Sequence, residues 1–358
     1  MKLIKTEEAE GTILCHDITQ IIKGEKKGPV FRKGHIVTKE DIPILLSVGK
    51  ENLYVWEQEE GVLHENEGAE ILRRMLQGGS KEEAAFSEKE KVWRYMEASE
   101  AKEGKIELKA AMDGVLKVHS KALRSVNMQG EMMIATRHGN TEVKRGDKLA
   151  GTRVIPLVIK EEKMNQAEKT VLQLTGGEPI LKILPFQHKK VAIVTTGSEV
   201  YKGRIQDTFT PVLIEKLKQY PVELIGHKIC DDDHEMVTKA IMEFLNQEAD
   251  IVLCTGGMSV DPDDRTPLAI KNTGADIITY GAPVLPGAMF MLAYTEKGQT
   301  IMGLPGCVMY AKRTIFDLVL PRVMADDKVT KEELADLGEG GLCLNCEVCT
   351  YPNCGFGK

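Results

Sequence analysis

Between residues 188 and 325, short apolar runs alternate with segments of helical periodicity, and this alternation constrains the fold most strongly. The runs "KKVAIVTTG", "VELIGHKI", "ADIVLCTGG", "ADIITYG" and "QTIMGLPG" are predicted to be strands. The segment "DDHEMVTKAIMEFLNQ" places its apolar residues on one helical face, and a last helix is predicted from about Val308 to Met324. Strands that alternate with helices form a mostly parallel sheet with both faces covered. We therefore predict an α/β fold, a three-layer doubly wound sheet, for this region.

Other patterns divide the remaining chain into further predicted regions. Residues 1–65 mix short strand-like runs with a small helix, and residues 66–104 are charged and helix-prone, as in a helical connector. Residues 105–160 are turn-rich with many Val, Ile and Leu residues, which predicts a small β-rich domain. After a polar helical bridge, the α/β domain is placed at residues 170–326 and a cysteine-rich tail at residues 327–358.

Charge and hydropathy argue against two classes of protein. The 358-residue chain has a formal charge of −7 at pH 7, whereas nucleic-acid binders present a basic surface. The sequence contains no apolar run of about 18 residues and no signal-peptide core, so we expect no membrane span and a cytoplasmic protein. Residues 105–155 are locally basic, with ten Lys and Arg against five Asp and Glu. That segment is either a solvated β surface or a patch facing an anionic ligand.

Loops that follow the predicted strands combine glycine, carboxylate or both. They are "TTGSEVYKGRIQDT", "CDDDHE", "TGGMSVDPDD" and "GLPG". In an open parallel sheet, ligands bind outside the carboxyl ends of the strands. The recurrence of these residue types at strand ends therefore predicts a binding site there.

Gly256 and Gly257 begin the third of these loops. Backbone N–H groups in a glycine turn can bind phosphate, aided by the dipole of a following helix. The carboxylates of Asp261, Asp263 and Asp264 would repel phosphate unless Mg²⁺ lay between them. A carboxylate can also accept paired N–H donors from the ring edge of a pterin or a guanine. The loops therefore predict a phosphorylated heterocycle with magnesium, although not a P-loop, because no lysine and hydroxyl pair follows the glycines.

Each of these features also has a purely structural interpretation. A diglycine can serve a tight strand-to-helix turn, and Asp231–Asp233 can be an N-cap cluster favoured by the helix dipole. Glu199 and Asp207 can be solvated loop charges. The functional interpretation depends on the loops meeting at one edge of one sheet.

In order and spacing, five motifs resemble the molybdenum-cofactor biosynthesis domain, which molybdopterin adenylyltransferases and molybdopterin molybdotransferases share. They are "TTGSEV", "GRIQDT", "CDDD", "TGGMSVDPDDRTP" and "LPGAMF…GLPG". The segment "FRKGHIVTKEDIPILLSVGKENLYV" is also similar to the N-terminal region of the molybdotransferases. The resemblance implies a three-layer α/β fold that binds molybdopterin. The implied chemistry is adenylyl transfer to molybdopterin, or Mg²⁺-dependent cleavage of adenylylated molybdopterin with insertion of metal from molybdate or tungstate.

The resemblance also implies roles for individual residues. Asp207, Asp231 and Asp264 match catalytic positions, with Mg²⁺ held near the first two. The positions that would bind the cofactor are Thr255, Gly256, Gly257, Ser259, Asp264, Glu199, Pro286, Gly287, Gly303, Pro305 and Gly306. Homo-oligomers are usual in the family, so we expect one here.

The sequence departs from the family's pattern in the loop that usually reads PGKP. Ala288 and Met289 stand where lysine and proline are usual, and alanine cannot stabilise oxyanion charge as lysine does. Phe209, Cys307 and Val308 replace two asparagines and a proline that are typical of the family. Candidates to supply the missing positive charge from the basic segment are Arg137, Lys144 and Arg153.

Four of the eight cysteines lie within the last sixteen residues. Cys343, Cys346, Cys349 and Cys354 have the spacing C-x2-C-x2-C-x4-C. The first three resemble a bacterial ferredoxin run, although the last gap is one residue longer and a proline precedes the fourth cysteine. Four thiolates so close in sequence predict a metal site, either a [4Fe–4S] cluster or tetrahedral Zn²⁺.

Three functions fit these patterns. The first is a molybdopterin-binding enzyme of molybdenum or tungsten cofactor assembly that acts on adenylylated molybdopterin with Mg²⁺. The second is a nucleotide-sugar pyrophosphatase of the competence/damage-inducible type, a family with a similar "TGG…DD.T" loop. The third is a non-catalytic carrier or sensor that binds molybdopterin and signals through the cysteine tail. The motif order favours the first, whereas the "PGAM" departure favours the third.

Overall fold

The computed structural model describes residues 2–22, 26–55, 60–78, 95–259 and 264–358. The elements of the first half are, in chain order, β1 (Lys2–Lys5), β2 (Ile18–Ile22), β3 (Lys26–Phe31), α1 (Asp41–Ser47), β4 (Asn52–Val55), β5 (Val62–His64), α2 (Glu65–Gln77), β6 (Met96–Ala98), β7 (Lys105–Ala110), β8 (Gly114–Val118), α3 (Ser120–Asn127), β9 (Met132–Thr136), β10 (Thr141–Val143), β11 (Lys148–Val154), β12 (Val158–Lys160), α4 (Glu161–Thr175) and β13 (Leu181–Pro185).

The second half contains the strand and helix alternation that the sequence predicts. Its elements are β14 (Lys189–Thr196), α5 (Ser198–Tyr201), α6 (Phe209–Leu217), β15 (Val222–Cys230), α7 (His234–Asn246), β16 (Ile251–Thr255), α8 (Thr266–Asn272), β17 (Asp276–Tyr280), β18 (Met291–Tyr294), β19 (Thr300–Leu304), α9 (Ile315–Met324) and α10 (Lys331–Asp336). None of the helices in the described ranges combines the length and apolar character that crossing a membrane requires.

The chain divides into two compact units. The first comprises Met1–Ala111, Val118–Arg137 and Gly146–Lys182, and the second comprises Met112–Lys117, His138–Arg145 and Ile183–Lys358. Of the predicted connector at residues 66–104, the stretch 79–94 lies outside the described residues. The rest of it includes most of α2, which buries Ala69, Leu72 and Leu76 inside the first unit.

In the first unit, β6, β7, β11 and β9 form an antiparallel sheet in that order. Helix α4 continues well beyond the polar bridge that the sequence predicts and ends at Thr175 with a left-handed Gly176. Met164, Ala167 and Val171 are buried along one of its faces. Their spacing of three and four residues is that of an amphipathic helix, so the charged residues of this segment cover only its other faces.

The second unit is built on a six-stranded sheet in the order β15-β14-β16-β19-β18-β17. The first four strands are parallel. β18 is antiparallel to β19, and β17 is antiparallel to β18. The mostly parallel sheet predicted from the sequence is thus confirmed, and the structure adds β18, which the sequence analysis did not identify.

Helices cover both faces of this sheet, which gives the predicted three layers. Along β14, Val191 and Ile193 pack into one core with α6 and α9, whereas Ala192 and Val194 pack into a second core with α7 and α8. The alternation follows from the two-residue period of a strand. Because both faces are buried, the strand is apolar at consecutive positions, which produced the runs in the sequence.

The last helix begins later than the sequence predicts. From Val308 the prediction is a continuous helix, but the structure has a 3₁₀ turn at Gly306–Met309 and begins α9 at Ile315. Thr314 and Asp317 form a capping box there: the Thr314 side chain and the Asp317 carboxylate satisfy N–H groups of the first turn. This cap, rather than the apolar periodicity, determines where the helix begins.

Candidate functional site

The carboxyl ends of β14, β15, β16 and β19 lie at one edge of the sheet, because these strands are parallel. β17 points in the same direction, since it is separated from β19 by the antiparallel β18. Five loops therefore leave the sheet at this edge: 197–208, 231–233, 256–265, 281–290 and 305–314. We call these loops the loop edge, and they contain nearly all the residues that the sequence analysis selected.

The diglycine turn packs closely against the end of β14. Gly256 and Gly257 have φ angles of 83° and 56°, a region that favours glycine. A Cβ at Gly256 would lie 2.2 Å from the Thr196 carbonyl oxygen, and one at Gly257 would lie 2.9 Å from Thr266 Oγ1. The close backbone approach that the sequence indicates is therefore made to the neighbouring strand, which holds the turn in one conformation.

Buried threonine hydroxyls join the strand ends beneath this turn. Thr196 Oγ1 donates to the Thr255 carbonyl at 3.2 Å, and Thr266 Oγ1 donates to the Gly256 carbonyl at 2.8 Å. Thr255 Oγ1 donates to Thr195 Oγ1 at 3.2 Å. The sequence analysis overlooked Thr195 and Thr196. The sequence could have indicated both, because they are polar residues that directly follow the apolar run of β14.

Asp207 anchors the first loop to the sheet. One carboxylate oxygen accepts the N–H groups of Phe209 and Thr210, at 2.9 and 3.1 Å. The other accepts the Thr210 hydroxyl and lies 3.4 Å from His227 Nε2. Burial acts to raise the pKa of Asp207, but the hydrogen bonds from Thr210 and Phe209 outweigh it, so the pKa is lowered. Protein donors occupy both oxygens, and His227 is a neighbour that the sequence analysis did not identify.

We expect Asp207→Asn to destabilise the chain by about 1 kcal/mol at neutral pH, because the variant loses the charge that strengthens these hydrogen bonds. The folded-state pKa is lowered, so the stabilisation is complete above the unfolded pKa of about 3.9 and is lost as the pH falls through the folded value. The difference in thermal midpoint between wild type and variant should therefore shrink below about pH 4. Asp276→Asn, at an exposed position of β17, is the control. A difference independent of pH would contradict the expectation.

Glu199 and Asp231 lie in neighbouring loops after β14 and β15. The Ser198 N–H donates to Asp232 Oδ2 at 2.8 Å, and Lys202 Nζ lies 3.4 Å from Asp231 Oδ2. These contacts tie α5, which exposes Glu199, to the aspartate loop. Lys202, which the sequence analysis did not select, places a cation at the loop edge.

In the loop after β16, a hydrogen bond joins the two described parts of the loop. The Ser259 N–H donates to Asp264 Oδ2 at 2.8 Å, while Asp261 and Asp263 lie outside the described residues. Tyr280, at the end of β17, donates its hydroxyl to a main-chain carbonyl of the same loop at 3.2 Å and remains 47% exposed. Burial and the nearby charge of Asp264 raise the pKa of Tyr280. An aromatic ring thus borders the diglycine turn.

Loop 281–290 contains Pro286 and Gly287. The Leu285–Pro286 peptide bond is cis. Gly287 is buried with φ 127°, and a Cβ there would lie 2.6 Å from Ile315 Cγ2, so glycine allows this loop to pack on the start of α9. Ala288 is exposed.

The selected residues of the last loop differ in their surroundings. Gly303 lies inside β19, where a Cβ would come 2.6 Å from the Met258 side chain. Pro305 is buried, and Gly306 is exposed at the loop edge. Of the two glycines, Gly306 is the one with open space beside it.

The tail cysteines come together around one cavity of about 570 Å³ in the second unit. Cys346 and Cys349 are exposed, whereas Cys343 and Cys354 are partly buried. Pro286, which belongs to the loop edge, lines the same cavity. The tail therefore lies against one of the loops that form the candidate site.

In the part of the chain that the structure describes, no three His, Cys, Asp or Glu side chains are arranged around one metal position. The carboxylates of the loop edge that the structure describes therefore do not form a ready-made cation site. The four cysteines likewise surround their cavity without converging on a single point.

Two of the three basic residues considered as a source of positive charge, Arg137 and Lys144, have carboxylate neighbours. Arg137 Nη1 lies 2.7 Å from Asp147 Oδ2, and Lys144 Nζ lies 2.9 Å from Glu142 Oε1. Their charge is compensated within the segment, which weakens the hypothesis that they act on a bound anion.

Comparison with known families matches two parts of the chain. Residues 192–325 match a family described as a probable molybdopterin binding domain. Residues 3–57 match a domain of unknown function, DUF8806. The first match covers the whole loop edge and all of the six-stranded sheet except the first three residues of β14.

Individual relatives resemble only part of the chain. A molybdopterin molybdenumtransferase of Staphylococcus epidermidis is 26% identical over 193 residues, which cover 52% of this chain and 41% of that protein. A CinA-like protein of Mycobacterium marinum is 32% identical over 77 residues, 22% of this chain and 18% of that protein. Among solved structures, the molybdopterin biosynthesis enzyme MoaB of Thermus thermophilus has a TM-score of 0.33 and 21% identity, and the match covers 40% of this chain and 98% of that one. The matched part of this chain thus spans only about two fifths of the transferase, 41%.

Proposed function

Residues 192–325 belong to the molybdenum-cofactor biosynthesis domain family, and on this premise we propose that the chain is a molybdopterin-binding protein of molybdenum or tungsten cofactor biosynthesis. One observation carries the proposal. The segment that matches the family is the sheet whose glycine-rich and acidic loops leave at a single edge.

The proposed binding site uses the chemistry of the loop edge. Main-chain N–H groups around Gly256 and Gly257 would bind the phosphate of molybdopterin. Asp264 would accept N–H donors of the pterin ring edge, and the half-exposed ring of Tyr280 offers a surface on which a flat heterocycle can stack. The helix after the diglycine, α8, has only seven residues, so its dipole has no part in this proposal.

We propose that Mg²⁺ is bound jointly by a protein carboxylate and the phosphate of the substrate. Mg²⁺ keeps several waters and takes one or two carboxylates besides phosphate oxygens. A group of three protein carboxylates is therefore not required. Asp231 is the better candidate, because its side chain is 31% exposed against 11% for Asp207 and it receives fewer protein hydrogen bonds.

Calorimetric titration of the full chain with molybdopterin and with adenylylated molybdopterin tests the proposal. We expect Asp264→Asn to weaken binding about tenfold, because a charge-assisted hydrogen bond becomes a neutral one while the side-chain shape is kept. Asp276→Asn should bind like wild type. Absence of binding to both ligands by the wild-type chain would reject the proposal.

The finer part of the proposal is catalytic. The chain would act on adenylylated molybdopterin and insert metal supplied as molybdate or tungstate, with Asp207, Asp231 and Asp264 as the acidic residues nearest the reaction. Support comes from the resemblance to a molybdopterin molybdenumtransferase. The exposed Ala288, in place of the usual lysine, favours a non-catalytic carrier or sensor instead.

Ala288→Lys distinguishes a weakened enzyme from a carrier. Because Ala288 is exposed, a lysine there can reach solvent without disturbing the core. We expect metal insertion to rise at least about tenfold in the variant, since a cation near developing negative charge stabilises the transition state. Ala135→Lys, at an exposed alanine of β9, adds the same charge elsewhere and should change nothing. An inactive Ala288→Lys chain that still binds molybdopterin would favour the carrier.

A nucleotide-sugar pyrophosphatase is the second candidate. The 32% identity to a CinA-like protein over 77 residues favours it. Asp263 and Asp264 would provide the acidic pair of that family's loop. Incubation with ADP-ribose and related pyrophosphates, followed by detection of released mononucleotide, separates the two functions.

Cellular location and assembly complete the proposal. The crowding of four of the eight cysteines into the last sixteen residues is not the pattern of a disulfide-rich secreted fold, and this supports a cytoplasmic location. The resemblance supports a homo-oligomer. The tail is proposed to hold a metal centre, either a [4Fe–4S] cluster or Zn²⁺.

A further inference from the structure

The cavity of the cysteine tail has the features of a binding site for a polynuclear metal centre. Its volume is about 570 Å³, and residues of the second unit form all of its walls. We propose that this cavity binds a [4Fe–4S] cluster and that each iron is bound by one thiolate. The ligands are Cys343, Cys346, Cys349 and Cys354.

The ends of the cysteine segment are fixed, whereas its middle has no core of its own. Leu285 N–H donates to the Gly341 carbonyl, and Cys343 N–H donates back to the Leu285 carbonyl, both at 2.8 Å. At the other end, Phe356 is only 5% exposed and packs into the main core. Between these anchors, Leu344 is 78% exposed. A short segment that lacks both a core and disulfides gains stability from a metal centre that ties its parts together.

The size of the cavity favours a cluster over a single ion. A tetrahedral Zn²⁺ has Zn–S bonds of about 2.3 Å, so four sulfurs bound to it lie within about 4 Å of one another. In a [4Fe–4S] cluster each sulfur binds a different iron, which spreads the ligands around a cube. A cavity of about 570 Å³ that the four cysteines line has room for such a cube, whereas a single zinc ion would leave most of it empty.

Cations beside the cavity suit a cluster with four thiolate ligands, which is negatively charged as a whole. Lys312 Nζ donates to the Glu347 carbonyl at 2.7 Å, which places its charge beside the cysteine loop. Arg313 and Cys349 line the same cavity, with the guanidinium beside the thiol. Arg313 is held in place by Asp317 at 3.1 Å and lies over the Tyr351 ring, 4.8 Å from its centroid. Hydrogen bonds to ligand sulfurs stabilise the charge of such clusters.

The cavity also touches the candidate molybdopterin site. Pro286 lines the cavity and precedes Gly287 in loop 281–290, and the paired hydrogen bonds at Leu285 join this loop to the tail. Cluster binding would therefore fix the position of this loop. This step rests on the proposed function only in that loop 281–290 is taken as part of the molybdopterin site. Slower amide hydrogen exchange in residues 281–290 after cluster loading is the expected sign.

Anaerobic reconstitution of the full chain with equal amounts of Fe²⁺ and Fe³⁺ and with sulfide tests the proposal. We expect about four irons and four sulfides per chain, with the broad visible absorption of sulfur-to-iron charge transfer. Cys346→Ser and Cys349→Ser should each lower the iron content at least twofold. Both cysteines are exposed, so serine there leaves the packing of the domain unchanged. Cys15→Ser, in the first unit, should retain the full iron content.

Other outcomes overturn the proposal. One equivalent of zinc that Fe²⁺ and sulfide cannot replace would show that the thiols converge on a single ion. A chain that takes up neither metal, or equal iron content in Cys346→Ser and wild type, would exclude a cluster. These measurements are made without molybdopterin. A negative result would therefore reject the cluster and leave the calorimetric test of the proposed function unaffected.

Discussion

Replacing Gly256 with alanine is expected to destabilise the second unit by about 3 kcal/mol or more, because two costs add. An L-residue at φ 83° is strained, and the new methyl group would lie 2.2 Å from the Thr196 carbonyl oxygen. That oxygen belongs to the backbone of a central strand, so it cannot move away without disturbing the sheet. Urea denaturation of the full chain, followed by far-UV circular dichroism, measures the effect.

Gly298 is the matched control for the steric part of this effect. Its φ is also 83°, but nothing lies within 4 Å of the position a Cβ would occupy. Gly298→Ala should therefore cost only about 1 kcal/mol, the strain of the left-handed conformation alone. Equal losses in the two variants would mean that the close approach to Thr196 is unimportant.

A large loss at Gly256 would change the interpretation of the diglycine. The turn would be required first by the packing of two strand ends, and the orientation of its N–H groups toward a ligand would follow from that packing. The variant should then lose molybdopterin binding and stability together. Asp264→Asn, in contrast, should lose binding alone, because the amide oxygen of the introduced asparagine can still accept the Ser259 N–H.

Asp317→Ala is expected to cost about 3 kcal/mol or more, since removal of one partner leaves partly buried cations without compensation. Asp317 is 7% exposed. One of its oxygens lies 2.7 Å from Lys216 Nζ and 3.1 Å from Arg313 Nη1, and the other accepts the Thr314 N–H at 2.8 Å. Thermal unfolding of the full chain measures the loss.

Asp326→Ala is the control for a surface ion pair. Asp326 lies 2.5 Å from Lys189, but its side chain is 64% exposed. Solvent screens such a pair, so the variant should lose less than about 1 kcal/mol. Asp317→Asn should fall between the two, because an amide oxygen can still accept the Thr314 N–H but carries no charge. A loss at Asp317 as small as that at Asp326 would contradict a desolvated network.

Arg313 links the ion-pair network around Asp317 to the cysteine cavity. Arg313 contacts Asp317, the Cys349 side chain and the Tyr351 ring. In Asp317→Asn, which should remain folded, the guanidinium loses its main partner. We therefore expect the iron content after reconstitution to fall in this variant, whereas Asp326→Ala should match wild type.

Local patterns were sufficient for much of the fold. The apolar runs of β14 and β16 predicted buried strands because each strand is covered on both faces, so the pattern needed no knowledge of the partners. The spacing of the apolar residues of α7 likewise predicted its buried face. The same reasoning placed the start of α9 too early, because apolar residues at 308–311 extend the pattern upstream, whereas the capping box that begins the helix lies in two polar residues.

Residue types at strand ends indicated the site, but their contacts depended on strand order. Asp207 meets His227 because β14 and β15 are neighbours, although 20 residues separate the two in sequence. Gly256 meets Thr196 because β16 lies on the other side of β14. No periodicity encodes such neighbours, since strand order results from how the helices pack on the whole sheet.

By itself, the sequence determined the layered α/β architecture, the edge at which the glycine and acidic loops gather, and the cysteine spacing of the tail. Only the tertiary structure decided that the diglycine packs on Thr196, that Asp207 is fully used as an anchor, and that the tail cavity shares Pro286 with the loop edge. The physical reason is the distance along the chain over which each kind of information acts. Periodicity and spacing record the environment of each residue, whereas contacts between loops arise from chain segments that folding brings together across tens of residues.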